Sequence, residues 1–362
     1  MKIGILTFHC AHNYGAVLQA YCLQEELKSY GHDVYIINYR PIYLTNSIFK
    51  YSIKCWISKS LKGLVTKWTN EPFLIKAHLK RYDGFEKFIC SQLRLYTYNE
   101  ADIEKNFDAL IYGSDQIWNP EITGGKFDDV FFGINSTRRL ISYAASSKFL
   151  LFNESDIDYL KNALARYVSI SVREEKLAEK LRVQTNLQIQ TVLDPTLLCG
   201  HVVLEKISKS NNRKKPYIFI YELSHHKETI RIANSVARQM GFDIVELEGT
   251  FSARRLAQKD MSASPEDFVS YIANAACVIT TSFHGTALSL IFNKPFYAIR
   301  QNTSADGRIE SILNAVGLLD RFIKTGEDVQ FCKINYTIPN QKLEYLREQS
   351  KEFLRLALEK DE

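Results

Sequence analysis

The chain has 362 residues, 46% of them hydrophobic, which is enough for two ordinary hydrophobic cores and excludes an intrinsically disordered protein. Its 46 basic and 41 acidic residues leave a net charge of +5, too balanced to indicate a nucleic-acid partner. No apolar stretch reaches the length of a membrane-spanning helix, and the seven cysteines, an odd number without a CxxC pair, predict reduced thiols in a cytoplasmic protein.

The first forty residues predict a strand, a helix and a second strand, the order of a Rossmann-type unit. The first strand covers Ile3 to Phe8, the helix Gly15 to Tyr30, and the second strand Val34 to Asn38. Polar residues from His9 onward interrupt the first apolar run, so this segment lacks the apolar core of an export signal. We therefore expect an α/β domain that begins at the N-terminus.

A helical stretch from about 46 to 93, rich in lysine and aromatic residues, follows and is interpreted as an insert. Its basic part, Lys50 to Arg81, contains Trp56 and Trp68. This composition is typical of a peripheral contact with an anionic membrane surface, or of a grip on the diphosphate of a lipid-linked acceptor. The alternative is a solvated basic face, which is what most basic helices are.

The alternation of strands and helices then resumes and completes a first domain over 1–205. The strands are predicted at Ala109 to Tyr112, Leu140 to Ala144 and Ser169 to Val172, and the helices at Asp156 to Ala165 and Glu174 to Leu181. The polar, basic stretch from Lys206 to Pro216 is predicted to be a linker.

A second α/β series follows over 214–338, with a closing helix in 339–362. Its strands are predicted at Tyr217 to Tyr221, Asp243 to Leu247, Cys277 to Thr280 and Phe296 to Ile299, and its helices at Glu228 to Met240, Ser264 to Ala275, from near His284, Arg308 to Val316 and Gln341 to Leu358. Two Rossmann-like domains predict a ligand cleft between them, at the carboxyl ends of the strands.

One segment of the second domain is the most informative, because an apolar strand, Cys277 to Thr280, runs into a turn with one histidine and then into a helix. His284 is thereby placed at a helix N-terminus, where N–H groups and the helix dipole favour an anion. Hydroxyl groups flank it at Thr280, Thr281, Ser282 and Thr286. The alternative is a buried histidine that only fills space.

Four further segments carry polar residues at predicted strand ends, where such folds assemble sites. Asn13, Tyr14 and Gly15 either cradle an anion or form a tight turn. Asp115, after Ser114 and before Gln116, either accepts a proton from a sugar hydroxyl or caps the next turn.

Two cations complete this set. Lys148 either meets a phosphate or is solvated, and Arg173 either binds an anion bidentately or pairs with Glu174 or Glu175. Asp194, followed by proline, is interpreted as a structural turn.

Six of these segments, in this order, resemble the polysaccharide pyruvyl transferase family. They are Asn13-Tyr-Gly-Ala16, Gly113-Ser-Asp-Gln-Ile-Trp118, Ser142-Tyr-Ala-Ala-Ser146, Ser171-Val-Arg-Glu174, Asp194-Pro195 and Ser282-Phe-His-Gly285. The resemblance implies an α/β, GT-B-like fold with a helical insert, the first domain on the acceptor side and the second on the donor side. It also implies transfer of a pyruvyl group from phosphoenolpyruvate to two hydroxyls of a sugar in a capsular, exopolysaccharide or cell-wall glycan precursor, giving a ketal and phosphate.

The resemblance makes His284 the leading catalytic residue and Arg173 a ligand of phosphoenolpyruvate, and we add Asp115 as a second candidate base. No cofactor and no metal are expected. The remaining candidate substrate-binding residues are Ser282, Phe283, Gly285, Thr286, Lys148, Arg308, Asn13, Tyr14, Gly15, Ser114 and Gln116.

Two departures from the family pattern matter. Members with an RLHG motif have arginine where this chain has Ser282, and Arg300, Arg308 or Lys148 are candidates to replace it. Ser147 and Lys148 stand where the family often has Phe-Gly.

The expected partners are phosphoenolpyruvate and a sugar acceptor, lipid-linked in one version of the hypothesis, with no nucleic acid. The expected location is the cytoplasm, with the inner face of the membrane as a candidate docking surface through 50–81. Two alternative functions stay open: a GT-B glycosyltransferase that uses a nucleotide sugar, and a non-catalytic glycan-binding protein.

Overall fold

The computed structural model describes residues 1–45, 71–148, 152–210, 213, 215–223, 226–248, 259–302 and 306–359. The chain divides into two compact units, each built on one parallel sheet. Unit 1 consists of Met1–Thr69, Glu86–Cys199 and Leu346–Glu362, and unit 2 of Asn70–Phe85 and Gly200–Tyr345. The boundary at Cys199 and Gly200 precedes the predicted linker, and the last helix is shared between the units.

Unit 1 contains seven parallel strands in the order β3-β2-β1-β4-β5-β6-β7. The strands are β1 (Lys2–Leu6), β2 (Asp33–Asn38), β3 (Leu95–Thr97), β4 (Ala109–Tyr112), β5 (Arg139–Ala145), β6 (Tyr167–Val172) and β7 (Gln190–Thr191). The helices are α1 (Tyr14–Ser29), α2 (Glu71–Gln92), α3 (Glu100–Asn106), α4 (Glu154–Leu164), α5 (Glu175–Thr185) and α6 (Pro195–Glu205).

Helix α2 begins in unit 2 and ends in unit 1, whereas α6 begins in unit 1 and ends in unit 2. The sheet of unit 2 has six parallel strands in the order β10-β9-β8-β11-β12-β13. These strands are β8 (Tyr217–Glu222), β9 (Asp243–Glu248), β10 (Lys259–Asp260), β11 (Cys277–Thr280), β12 (Phe296–Ile299) and β13 (Phe322–Ile323). The helices are α7 (Lys227–Met240), α8 (Pro265–Asn274), α9 (Phe283–Ile291), α10 (Asp306–Val316) and α11 (Thr337–Leu358).

Local sequence explains several of these boundaries. Asn13 accepts hydrogen bonds from the first N–H groups of α1, and Ser264 and Asp267 form a reciprocal capping box at the start of α8. Gly241 ends α7 in the left-handed conformation, at φ +67°. The central strands β4 and β11 are buried along their whole length, as expected for a parallel sheet covered on both faces.

Both sheets have the doubly wound order in which the strands continue outward on either side of the first one. The order therefore reverses between β1 and β4 in unit 1 and between β8 and β11 in unit 2, and ligands of such folds bind at the carboxyl ends of the strands at these points. The prediction of an α/β protein with two Rossmann-type units, the composition of a GT-B-like fold, is confirmed. Within the predicted helical insert, α2 is described, whereas residues 46–70, with Trp56 and Trp68, lie outside the described residues.

Candidate active site

The turn between β11 and α9 in unit 2 holds the predicted histidine segment. Gly285 in the first turn of α9 allows the helix to pack directly on the strand. A Cβ atom there would lie 2.3 Å from Thr280 Oγ1 and 2.9 Å from Thr280 Cβ, distances that no side chain tolerates. The glycine thus sets the close approach that places the start of α9 at the end of β11.

Two neighbouring threonines in this turn differ in their hydrogen bonding. The Thr280 hydroxyl donates to the Tyr221 carbonyl at 2.6 Å and accepts from the Ser282 N–H at 3.0 Å. Thr281, only 4% exposed, has a buried Oγ1 for which the described residues provide no hydrogen-bond partner. A buried hydroxyl without a partner costs about 1–3 kcal/mol, which favours a bound ligand or water at this position.

Ser282 is the residue before the first turn of α9, and its side chain makes no capping hydrogen bond. The first intrahelical N–H bond, from Thr286 to the Ser282 carbonyl, comes only at the fourth residue of the helix. The earlier N–H groups, at Phe283, His284 and Gly285, belong to the part of a helix that attracts anions.

His284 is buried, with 8% exposure, and its ring packs edge-on against Phe283 with 5.2 Å between centroids. The Thr286 hydroxyl donates to the Ser282 carbonyl at 3.1 Å, so it is used within the helix. Arg308 is partly buried on α10. Arg300 stacks on Phe322 at 4.1 Å and pairs with Glu310 at 2.9 Å.

In unit 1, Arg173 lies at the end of β6 and is 7% exposed. Its guanidinium donates to Asp194 at 2.7 Å, to Glu174 at 3.2 Å and to the Ser146 hydroxyl at 3.0 Å. Burial alone would lower the pKa of Arg173, but the charges of Glu174 and Asp194 outweigh it and raise the pKa. The salt bridge between Arg173 and Glu174, one of the two sequence interpretations, is present. Contact between Arg173 and phosphoenolpyruvate stays a prediction.

Asp194 both forms the predicted turn before α6 and pairs with the Arg173 guanidinium. One carboxylate oxygen accepts from the N–H and hydroxyl of Thr196, and the other accepts from Arg173 and, at 3.3 Å, from the Ser114 hydroxyl. The structure therefore brings together Ser114 and Arg173, predicted separately, through the carboxylate of the buried residue Asp194.

Glu174 and Asp115 present carboxylates at the ends of β6 and β4. Glu174 accepts from the Ser146 hydroxyl at 2.7 Å with one oxygen, and its other oxygen is buried without a hydrogen-bond partner in the described part of the chain. Asp115 is partly exposed, adopts φ +74° and accepts from the Gln116 N–H at 2.8 Å. Both interpretations of Asp115, as a local cap and as a base, remain compatible with this geometry.

The other predicted residues of unit 1 have simpler environments. Asn13 caps α1 through bonds from the N–H groups of Gly15, at 2.9 Å, and Ala16, at 3.3 Å. Tyr14 is buried and Lys148 is exposed. The segment Asn13 to Gly15 therefore forms a tight turn, one of its two predicted roles, because the Asn13 cap uses the N–H groups that an anion would otherwise meet.

Neither a metal site nor a membrane span is visible where the structure describes the chain. No group of three or more His, Cys, Asp or Glu residues is arranged to hold a metal ion among the residues described. No described helix is both long and apolar enough to cross a bilayer.

The fold and these sites define an α/β protein with two Rossmann-type units and polar residues at the carboxyl ends of parallel strands. A family model for polysaccharide pyruvyl transferases matches residues 13–303, most of the chain, and the chain belongs to this family. It is thus a member of a transferase family, as its six motifs predicted.

Other comparisons are more distant. The UDP-GlcNAc 2-epimerase of Methanocaldococcus jannaschii is 11% identical, with 98% of this chain and 99% of that chain covered and a TM-score of 0.49. The UDP-N-acetylglucosamine 2-epimerase of Rickettsia bellii is 13% identical, with 99% and 96% covered and a TM-score of 0.46. MnaA of S. aureus, solved with UDP, is 13% identical, with 97% and 91% covered and a TM-score of 0.44. A comparison with curated protein sequences gives no significant match.

Proposed function

We propose that this protein transfers the pyruvyl group of phosphoenolpyruvate onto two hydroxyls of a sugar in a capsular, exopolysaccharide or cell-wall glycan precursor, forming a ketal and releasing phosphate. Membership of the polysaccharide pyruvyl transferase family supports the reaction class. The observation that carries the choice of an anionic donor is the buried Thr281 hydroxyl, which has no partner among the described residues and lies in the turn before α9, three residues before His284 in the sequence.

Phosphoenolpyruvate carries a phosphate and a carboxylate, and the start of α9 offers hydrogen-bond donors for one of these two groups. The hydroxyls of Thr281 and Ser282 and the first N–H groups of the helix are neutral donors, and the helix dipole adds about half a positive charge. A phosphate oxygen held there would accept a hydrogen bond from the Thr281 hydroxyl, for which the described residues provide no partner.

The reaction needs proton transfers that an imidazole can perform. A proton is added to the methylene carbon of the donor, two sugar hydroxyls form bonds to the adjacent carbon, and the bond from that carbon to the phosphate oxygen breaks. One hydroxyl proton balances the new methyl group and the other leaves with phosphate. His284 is the proposed acid or base for one of these transfers, which contributes typically 10²–10⁴-fold to such reactions.

In unit 1, Asp115 is the proposed second base, toward a sugar hydroxyl. Its carboxylate is partly exposed at the end of β4, next to the switch point of that sheet. The carboxylate of Glu174, with its unpartnered oxygen, is a further acceptor for a hydroxyl in the same unit. Peripheral membrane contact through 50–81, a lipid-linked acceptor and a cytoplasmic location remain part of this proposal.

The test compares two threonine variants, Thr281→Val and Thr280→Val, by thermal unfolding with and without phosphoenolpyruvate. Thr281→Val removes a buried hydroxyl that has no partner among the described residues, so we expect the free protein to be at least as stable as wild type, with a smaller rise of Tm with phosphoenolpyruvate. Thr280→Val, the matched control, leaves the Tyr221 carbonyl and the Ser282 N–H without their partner and should cost about 1–3 kcal/mol in the free protein.

Thermal unfolding with other ligands, together with an assay of phosphate release, distinguishes pyruvyl transfer from the two alternative functions. A rise of Tm with nucleotide sugars and none with phosphoenolpyruvate would favour a glycosyltransferase. Sugar binding without phosphate release from phosphoenolpyruvate, across a panel of glycan acceptors, would favour a glycan-binding protein. Phosphate release that requires both phosphoenolpyruvate and an acceptor would support the proposal directly.

A further inference from the structure

The two carboxylate oxygens of Glu174 differ in their hydrogen bonding. Oε1 accepts from the Ser146 hydroxyl at 2.7 Å and from Nε of Arg173 at 3.2 Å. Oε2 is buried, and the described residues provide no hydrogen-bond partner for it. A carboxylate can only accept hydrogen bonds, and a buried charged group without a partner is more costly than a neutral one. Oε2 therefore requires a group that donates a hydrogen bond, which a phosphate dianion or an ionised carboxylate does not.

A closed triangle of hydrogen bonds holds the Glu174 carboxylate in one orientation. Nη2 of Arg173 donates to the Ser146 hydroxyl at 3.0 Å, and both of these residues donate to Oε1 of Glu174. Arg173 is itself anchored on Asp194 at 2.7 Å. The side chains of Arg173 and Glu174 are only 3% and 13% exposed. Oε2 therefore keeps a fixed direction, as a group that selects among the hydroxyls of a ligand needs.

Main-chain hydrogen bonds place Glu174 on the same sheet edge as Asp115. After β4, Asp115 forms a parallel bridge with Ala145, and its carbonyl accepts from the Ser146 N–H at 2.9 Å. After β6, the Arg173 N–H donates to the Ala145 carbonyl at 3.0 Å. Ser146 thus contacts Asp115 through its main chain and Glu174 through its hydroxyl. Ligands of doubly wound sheets bind at this edge, so both carboxylates lie where a ligand is expected.

The charges of these side chains favour a neutral ligand. The Arg173 guanidinium is shared between the carboxylates of Asp194 and Glu174, and Asp115 adds a third carboxylate at a partly exposed position. Among these four side chains, one positive charge therefore faces three negative charges. An uncharged sugar offers hydroxyl donors without like-charge repulsion, whereas an acidic sugar would bring a further negative charge.

We propose that Glu174 selects the acceptor: its Oε2 accepts a hydrogen bond from one hydroxyl of a neutral sugar, while Asp115 meets another hydroxyl of the same sugar. The inference rests on the proposed function for the role of this sugar as the acceptor of the pyruvyl group. Glu174 is a binding residue in this scheme, and Asp115 keeps its proposed role as a base. Ser146 and Arg173 are positioning residues, because they act by fixing the Glu174 carboxylate.

The test compares Glu174→Gln with the matched control Glu175→Gln, which removes one negative charge from the next residue, half exposed and paired with Arg182. Glutamine keeps an oxygen for Ser146 and Arg173, but its NH2 group cannot accept a hydrogen bond from a hydroxyl. Binding is measured by thermal unfolding without phosphoenolpyruvate. The probes are the methyl glycosides of glucose, galactose, mannose and N-acetylglucosamine, with methyl glucuronide as the acidic sugar.

We expect wild type to bind at least one neutral glycoside, and to bind it more tightly than the glucuronide. Glu174→Gln should bind that glycoside more weakly by roughly tenfold or more, because it loses a hydrogen bond to a charged group, and Glu175→Gln should bind it as wild type does. Glu174→Asp keeps the charge but withdraws it by one methylene, so it should also lose affinity. This second variant keeps the test valid should the melting curve show that Glu174→Gln does not fold.

Three results would overturn the inference: wild-type affinity for the neutral glycosides in Glu174→Gln, equal losses in the two glutamine variants, or no binding of any neutral glycoside by wild type. Failure of the proposed function has a different signature. Glycoside binding that depends on Glu174, without phosphate release when phosphoenolpyruvate is added, would keep the sugar site and reject pyruvyl transfer to these sugars. Acceptor-dependent phosphate release with an unchanged KM for the acceptor in Glu174→Gln would keep the reaction and reject the role of Glu174.

Discussion

The guanidinium of Arg173 donates to the carboxylate of Asp194 at 2.7 Å, and both side chains are almost completely buried, at 3% and 0% exposure. Such a pair is costly to break from one side, because the remaining charge stays buried without compensation. This ion pair joins the end of β6 to the turn that starts α6, and it contains a residue expected to bind the donor.

Replacing Arg173 by alanine should therefore destabilise the protein by roughly 3–5 kcal/mol. Chemical denaturation measures this, and Arg355→Ala is the control, since its pair with Glu352 is about half exposed and should cost at most about 1 kcal/mol. The double variant Arg173→Ala/Asp194→Asn should lose less than the sum of the single changes. A stable Arg173→Ala variant that has lost only phosphoenolpyruvate binding would instead show that Arg173 acts as a ligand.

Gly285 and Gly307 should respond oppositely to alanine. Alanine normally stabilises a helix over glycine by about 1 kcal/mol, and Gly307 on α10 has open space where a Cβ would be. At Gly285 the Cβ would meet Thr280, so Gly285→Ala should destabilise the protein and displace the start of α9. We expect Tm to rise slightly for Gly307→Ala and to fall for Gly285→Ala. Equal responses of the two variants would contradict the close packing of α9 on β11.

The sequence predicted those parts of the site that depend on local order. The strand, turn and helix around His284 are contiguous, so apolar periodicity and the glycine were sufficient to place the histidine at a helix start. The partner of Arg173 was foreseen only in part, because Glu174 is its neighbour whereas Asp194 reaches it through the fold.

The sequence did not predict β3, α3, α6 or three strands of two residues, and several of these omissions have a physical explanation. Three strands, β7, β10 and β13, have two residues each, which is too short for an alternating pattern. Helix α6 begins directly after the Asp194 turn, and its regular conformation is interrupted at Gly200, with φ +72°, so its apolar pattern is too short to indicate a helix. The predicted start of the last helix, Gln341, falls four residues after the observed one, Thr337.

The Glu86 carboxylate predicts a specific dependence of stability on pH. It accepts from His12 at 2.9 Å and from Arg40 at 3.0 Å. The His12 hydrogen bond is the main cause that lowers the pKa of Glu86 below its usual 4.5, against the opposing effect of burial. The contribution of the ionised Glu86 carboxylate to the free energy of unfolding should be complete above pH 4.5. It should decline as the pH falls through the lowered pKa that Glu86 has in the folded protein.

Denaturant titrations at several pH values measure this effect in wild type and in Glu86→Gln. The variant should be less stable at pH 7 and should lose less stability than wild type on acidification below pH 4.5. Glu121→Gln, which changes an exposed carboxylate in the same unit, should leave the shape of the curve unchanged. Parallel curves for wild type and Glu86→Gln would refute the coupling.

Replacing His284 should reduce the rate of turnover without preventing the binding of phosphoenolpyruvate. If its imidazole transfers a proton, His284→Gln should lower kcat by about 10²–10⁴, because glutamine cannot act as an acid or base near neutral pH. The N–H groups of α9 and the Thr281 hydroxyl remain in this variant, so phosphoenolpyruvate should still raise Tm, and KM should change little. Steady-state phosphate release and thermal unfolding measure the two quantities, with His201→Gln on α6 as the control for an exposed histidine. A variant that raises KM and keeps kcat would assign His284 to donor binding and transfer the proton role to another residue, with Asp115 the next to replace.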